Sequence, residues 1–272
     1  MLDGGLDQAS GLRTLFAPRG LRVLAVADCP GAPGAPAFVV NLATAMTRIG
    51  LNPVIVDGHG DGVSGMLGLR GRHELADLLE ADRRFETVAV RSPEGFSVLP
   101  AERGLARIVS DPAAVDATFS AIATVGNGFD VALVSAPDAT LGALMARTGD
   151  ETAVLCGPGD DGLTAAYGRI KSLVHGHGLT RFRVVFGGSE PAAAIARRHQ
   201  RLATVADRYL AAAVEYGGAF DDVETIGRAR RMRGSVFAMS DQGRVARAFE
   251  RIASAAREWQ LPAFEPAGAT IH

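Results

Sequence analysis

Short uninterrupted apolar runs alternate along this chain with longer stretches in which apolar positions return every three or four residues. The runs at 21–27, 53–57, 130–135, 152–156 and 182–186 are too short and too evenly apolar for surface helices, and read as strands buried on both faces. Between them, the stretches at 37–49, 112–124, 162–174 and 191–206 carry one apolar stripe each and predict helices. In the first, Phe38, Leu42, Ala45 and Ile49 share a face. A shorter helix is predicted at 72–80, strands at 85–90 and 96–100 around the turn Ser92-Pro93-Glu94-Gly95, a last strand at 211–216, and helices at 223–232 and 242–259. Apolar strands separated by helices predict a doubly wound α/β fold with a mostly parallel sheet covered on both faces.

Composition changes that picture little, with one exception. Hydrophobic residues make up 47% of the 272 and charged residues 21%, and the net charge is −2. This is enough apolar matter for a sizeable core and too little positive charge for a general nucleic-acid binder. Cys29 and Cys156 fit no metal-ligand spacing, and each follows a strand run, so both read as buried free thiols of a cytoplasmic protein. The first residues are neither basic nor apolar enough for a signal peptide, and no run is long enough to span a membrane. The exception is lysine: of 28 Lys and Arg, Lys171 is the single lysine. Guanidinium makes a poor base and a poor amine nucleophile.

In a doubly wound fold the ligand crevice lies at the C-terminal ends of the strands, so the loop after the first strand is examined first. It reads Asp28-Cys29-Pro30-Gly31-Ala32-Pro33-Gly34-Ala35-Pro36. Length and position suit a phosphate-binding loop, G-x-x-x-x-G-K-[ST], and Gly34 is kept. Cys29 stands at its first glycine, Ala35 at the lysine and Pro36 at the hydroxyl residue. Pro36 also lacks the N–H that a phosphate uses at a helix N-terminus. Read on residues alone, this is a tight turn into a helix that tolerates proline early.

The order of several short stretches nonetheless resembles the MinD/ParA family of deviant P-loop ATPases, and within it the FlhG-type regulators of flagellar number. These stretches are Asn41-Leu42-Ala43, Ile55-Val56-Asp57, the run Met66-Leu67-Gly68-Leu69-Arg70 with Leu75-Ala76-Asp77-Leu78-Leu79, Phe129-Asp130, and Gly162-Leu163-Thr164-Ala165-Ala166-Tyr167 with Ile170-Lys171. The resemblance implies a MinD-like P-loop fold over 21–262, preceded by an arm at 1–20 and followed by a tail at 263–272. It also implies where nucleotide chemistry would sit: Pro30, Gly31, Gly34, Ala35, Pro36, Asp57, His59 and Ser135. The family's two loop lysines fall at Pro30 and Ala35, its magnesium-holding threonine at Pro36, the second acid of D-x-D at His59, and the Walker B acid at Ser135. Where the family often places an adenine-reading asparagine, the chain has Phe186-Gly187. Losing the charges and ligands that position phosphoryl transfer implies a pseudo-ATPase with no cofactor and no catalytic residues, and an ATP-independent monomer.

The arm resembles the activator motif of the same regulators, D-Q-A-x-x-L-R-x-L, with Asp7, Gln8, Ala9, Leu12, Arg13 and Leu15 all present. Asp7 can cap a short helix, and Leu12, Leu15 and Phe16 then share a stripe. Gly11 costs that helix ~1 kcal/mol, which favours ordering on a partner. The resemblance implies an SRP-type flagellar GTPase as the partner, with Gln8 orienting a water or phosphate oxygen, and a partner as the route to the cell pole. Two other readings stand beside it. One is a MinD-type ATPase with an unorthodox site. The other is an interaction module that antagonises a flagellar transcription activator or assists C-ring assembly. His175 and His177 lie in a glycine-rich turn without acid or cysteine at ligand spacing, so no metal site is expected. Arg228, Arg230, Arg231 and Arg233 read as helix-end charges. The last helix should dock through Val245, Phe249, Ile252, Ala256 and Trp259, and the tail lacks the basic face of a membrane anchor.

Overall fold

A computed structural model describes residues 21–60, 62–80, 83–124, 128–148, 151–221, 223–240, 243–259 and 263–264. Within them the strands are β1 (Leu21–Ala27), β2 (Pro53–Asp57), β3 (Val90–Arg91), β4 (Ser97–Pro100), β5 (Val131–Ser135), β6 (Glu151–Cys156), β7 (Arg181–Gly187), β8 (Ala213–Phe220) and β9 (Ala263–Phe264). They form one sheet of order β3-β4-β2-β5-β1-β6-β7-β8, with β9 on β1. Pairings are parallel except β3 with β4 and β9 with β1.

Helices cover both faces, as strands apolar on both sides require. On one face lie α1 (Ala35–Arg48), the short α2 (Val63–Leu67) and, from later in the chain, α10 (Val223–Arg231), α11 (Val236–Met239) and α12 (Arg244–Ala256). On the other lie α3 (Leu75–Glu80), α4 (Phe85–Val88), α5 (Glu102–Ile108), α6 (Pro112–Ala123), α7 (Asp138–Thr148), α8 (Gly159–His177) and α9 (Ala192–Leu210). Alternation along β2 splits the two cores: Val54 and Val56 face one, Ile55 the other.

α1 is buried nearly all round, which its almost wholly apolar sequence permits. α12 is its amphipathic neighbour. Val245, Phe249, Ile252 and Ala256 are buried, as is Trp259 just beyond, so this helix docks by the face its spacing predicts. Phe249 lies between Phe38 and Phe220, with ring centroids 5.5 and 5.3 Å away.

The elements depart from the sequence expectation in several places. Residues 85–88 are a helical turn, with Phe85 and Val88 buried one turn apart, and only Val90 and Arg91 are extended. α2, α5, α7 and α11 were not foreseen, although Leu141, Leu144 and Met145 have helical spacing and are buried. β8 runs on through Gly217 and Gly218, where the pairing with β7 shifts register at Val184/Val185. Ala263 and Phe264, at the start of the expected tail, pair with Arg22 and Leu21.

Candidate functional site

Of the expected nucleotide-site positions, the loop 28–36 follows the C-terminal end of β1, Asp57 and Ser135 end β2 and β5, and His59 follows Asp57 by two residues. The loop from β1 is held by its own backbone. Asp28 Oδ1 accepts from the Cys29 N–H at 2.9 Å, and the Cys29 carbonyl accepts from the Ala32 N–H at 3.1 Å. Gly31 (φ 82°) and Gly34 (φ 91°) take the left-handed turns that let the chain enter α1, whose first bond runs from the Phe38 N–H to the Gly34 carbonyl. Of residues 30–36, Pro30, Pro33 and Pro36 have no N–H, and that of Ala32 is spent within the loop. The remaining donors are Gly31, Gly34 and Ala35, a thin set for cradling a phosphate.

Asp57 ends β2 directly opposite Ser135, which ends β5. Its carboxylate is already committed: Oδ2 accepts from the N–H groups of Val63 and Ser64, both at 2.9 Å, at the N-terminus of α2. A weaker contact at 3.4 Å comes from the His59 N–H. Burial raises the Asp57 pKa above the ordinary carboxylate value, against the pull of these donors. Space beside it is closed on one side by the loop. A Cβ built on Gly62 would lie 2.8 Å from Asp57 Oδ1 and 3.5 Å from Pro36 Cγ. A pyrrolidine ring therefore stands near the acid where the resemblance expects a metal-holding hydroxyl. His59 Nε2 and Ser135 Oγ are buried without a hydrogen-bond partner among the described residues. One carboxylate engaged on backbone, two serine hydroxyls and an imidazole do not fit a magnesium–nucleotide held in the P-loop manner, for which oxygen anions and a lysine are wanted. No catalytic step is derived through such a group.

Two arginines that the sequence reading passed over support this crevice. Arg169, on α8, pairs with Asp138, and its positive charge acts to lower the pKa of the Cys29 thiol. Burial outweighs that charge and pushes Cys29 up to about 12, and Cys156 is raised to about 11 for the same reason. Lys171 lies two residues beyond Arg169 on the same helix and is exposed, so the single lysine serves the surface and not the loop. Arg198, on α9, is 9% exposed. Its Nη2 donates to the carbonyls of Gly157 (2.6 Å) and Gly159 (2.7 Å), its Nη1 to Glu190, and its guanidinium lies over the Phe186 ring. The loop it pins touches the first one, since a Cβ on Gly157 would be 3.1 Å from the Gly31 carbonyl. A helical arginine at the right distance from a glycine pair leaves no sequence motif, which is why it was missed.

Asn41, part of the resemblance, is structural. It is fully buried, its Nδ2 donates to the Ala37 carbonyl at 2.7 Å, and its Oδ1 accepts from the Val236 N–H at 2.8 Å, tying α1 to α11. His175 and His177 lie in the last turn of α8 and not in the turn expected for them, because the helix runs on to its cap at Gly178. No group of three His, Cys, Asp or Glu among the described residues could hold a metal. No helix among the described residues is long and apolar enough to cross a membrane. Asp7, Gln8, Ala9, Leu12, Arg13 and Leu15 lie outside the described residues.

With sheet order and crevice in place, the class follows. The fold matches the MinD cell division protein of Aquifex aeolicus with a TM-score of 0.66, at 18% identity over 89% of this chain and 98% of that one. The cell division ATPase MinD of Pyrococcus furiosus (0.65, 18% identity, 87% and 98% covered) and a ParA family ATPase of Chlorobium tepidum TLS (0.63, 15%, 87% and 98%) agree. The chain thus has the fold of the MinD/ParA-type P-loop ATPases. No family model matches it. In sequence it is similar to the antiactivator FleN of Pseudomonas aeruginosa, 26% identical over 248 residues and 89% of each chain.

Proposed function

We propose that the chain is a regulator of flagellar number or placement that works by binding partners and does not hydrolyse ATP. The observation that carries the second half is local. Ala35 and Pro36 stand at the phosphate-gripping and metal-holding positions, while the nearby carboxylate of Asp57 is engaged by the N-terminus of α2. Removing one preorganised charge-stabilising donor from a transition state costs ~3 kcal/mol or more, so losing several leaves no useful rate. Calorimetric titration of the purified chain with magnesium and ATP tests this. Absence of heat is the expected result, and magnesium-dependent binding in the micromolar range would refute it in favour of an unorthodox ATPase.

Two partners are consistent with this reading. The motif from Asp7 to Leu15 supports an SRP-type flagellar GTPase, stimulated by the arm. Deleting residues 1–16, or Gln8→Ala, should abolish stimulation of GTP turnover, and unchanged turnover would sink the activator role. Similarity to a protein named an antiactivator supports a flagellar transcription activator as a second target. A loss of activator binding on arm deletion would merge the two surfaces; retained binding assigns the activator to the α/β domain.

A further inference from the structure

β8 ends the sheet. β7 pairs along one of its edges, and among the described residues no strand lies on the other. An edge left open in this way offers a row of backbone N–H and C=O groups. α9 flanks it from one face of the sheet and α12 from the other, and two adjoining cavities of about 600 and 360 Å³ lie between them. Gly217, Gly218 and Ala219 form the floor, and the walls present small residues such as Ala196 and Ala255. The glycines have a structural cause, since a Cβ on Gly218 would come 2.6 Å from Ile252 Cγ1 on α12. The consequence is that little side-chain bulk covers the strand's backbone.

The rim is not neutral. Arg244, Arg247 and Arg251 recur at i, i+3 and i+7 and so share one stripe of α12, and all three line the second cavity. Against them stand Glu190 and Asp221, which are paired with Arg198 and Arg244. Among the described residues Arg251 has no carboxylate partner, and its charge lies beside Tyr216, whose hydroxyl burial raises. Tyr216 is 49% exposed, with its ring stacked on Phe186 and edge-on to His199. A rigid, half-exposed aromatic at the mouth of a trough is the kind of anchor that interfaces use.

We propose that this edge is a docking groove for an extended acidic peptide of a partner protein. The peptide adds to β8 as a further strand and sets its carboxylates against Arg251 and its neighbours. Main-chain pairing supplies the affinity, the arginine stripe the choice of sequence, and the alanine-lined walls admit alternate side chains. A second copy of the chain is a poor occupant, because symmetric pairing of two β8 edges would bring like arginine stripes together.

Selection of a random linear peptide library on the full chain tests this, followed by anisotropy with fluorescein-labelled copies of the enriched peptides. Enriched peptides should be acidic with alternating apolar residues. They should bind about tenfold or more weakly to Arg251→Glu, as expected for reversing a charge at a peptide interface. Ala196→Trp, which fills the trough, should weaken them equally, while Arg230→Glu in the remote cluster on α10 should not. Circular dichroism confirms that each variant folds. Amide exchange on the wild-type complex should slow across 213–220, a readout independent of the variants. The proposal is overturned if no peptide is enriched, if the enriched set is not acidic, or if Arg251→Glu binds as wild type. It is equally overturned if protection falls elsewhere, if light scattering shows a dimer that Arg251→Glu dissolves, or if deleting residues 265–272 is needed before any peptide binds.

Discussion

Replacing Arg198 by alanine should destabilise the domain more than any other single arginine change. The side chain donates to two loop carbonyls and to Glu190, so the variant leaves three acceptors without their donor. A hydrogen bond from a charged group contributes ~1.5–3 kcal/mol, and an acceptor stranded in the interior costs ~1–3. Breaking a buried ion pair by removing one partner costs ~3–5. These overlap because they describe one group, so the expected loss is ~3–5 kcal/mol and not their sum. Urea denaturation is the assay, followed by Trp259, the single tryptophan, which is buried beyond α12. Arg198→Met, which keeps the packing against Phe186 but not the donors, should recover less than half of the loss. A loss under ~1 kcal/mol for Arg198→Ala would refute the view that this side chain holds the 157–159 loop.

Three further outcomes are expected. Gly162→Ala should cost ~1–3 kcal/mol of stability, because a Cβ there would meet the Gly157 carbonyl oxygen at 2.1 Å and backbone must move; an unchanged urea midpoint would contradict this packing. Asp57 binds its proton more readily folded than unfolded, so its burial penalty is present above the folded pKa and relieved as pH falls through it toward 3.8. Wild type should therefore gain stability relative to Asp57→Asn between neutral pH and pH just above 4, and a gap that is constant or moves the other way would remove burial as the cause. Cys29 and Cys156, raised to about 12 and about 11, should resist a disulfide reagent at pH 8 in the native protein and react together once urea unfolds it. A thiol that reacts within seconds in native buffer would show that one of them is open.

What the sequence made legible was whatever leaves a periodic trace. Strands apolar on both faces and the stripe of α12 could be read directly, and they dictate a covered parallel sheet. Helices α5 and α7 were passed over, although α7 carries a clear stripe in Leu141, Leu144 and Met145. At 85–90 a β-rich composition outweighed the i, i+3 spacing of Phe85 and Val88, and packing decided for a helical turn. The crevice was legible at Asp57 and Ser135 because strand ends and motif order coincide there. That Asp57 caps α2 was not, because the donors lie on backbone six and seven residues on. The clamps by Arg169 and Arg198 were invisible for the same reason: contacts between distant helices and loops depend on tertiary placement and leave no local pattern.

The length of β1 has a consequence for how this protein could change. The segment that carries the Asp7–Leu15 letters precedes β1 in the chain, and the loop 28–36 follows the end of it, seven residues later. At ~3.3 Å per residue the two attachments stand ~20 Å apart, on opposite poles of one rigid strand. A change at one pole need not deform the other, so the residues of the loop 28–36 and the letters from Asp7 to Leu15 can vary independently. The two poles should be separable by grafting. Residues 1–20 placed on a MinD-type domain with an intact loop should carry their partner binding with them, and the loop's chemistry should stay behind.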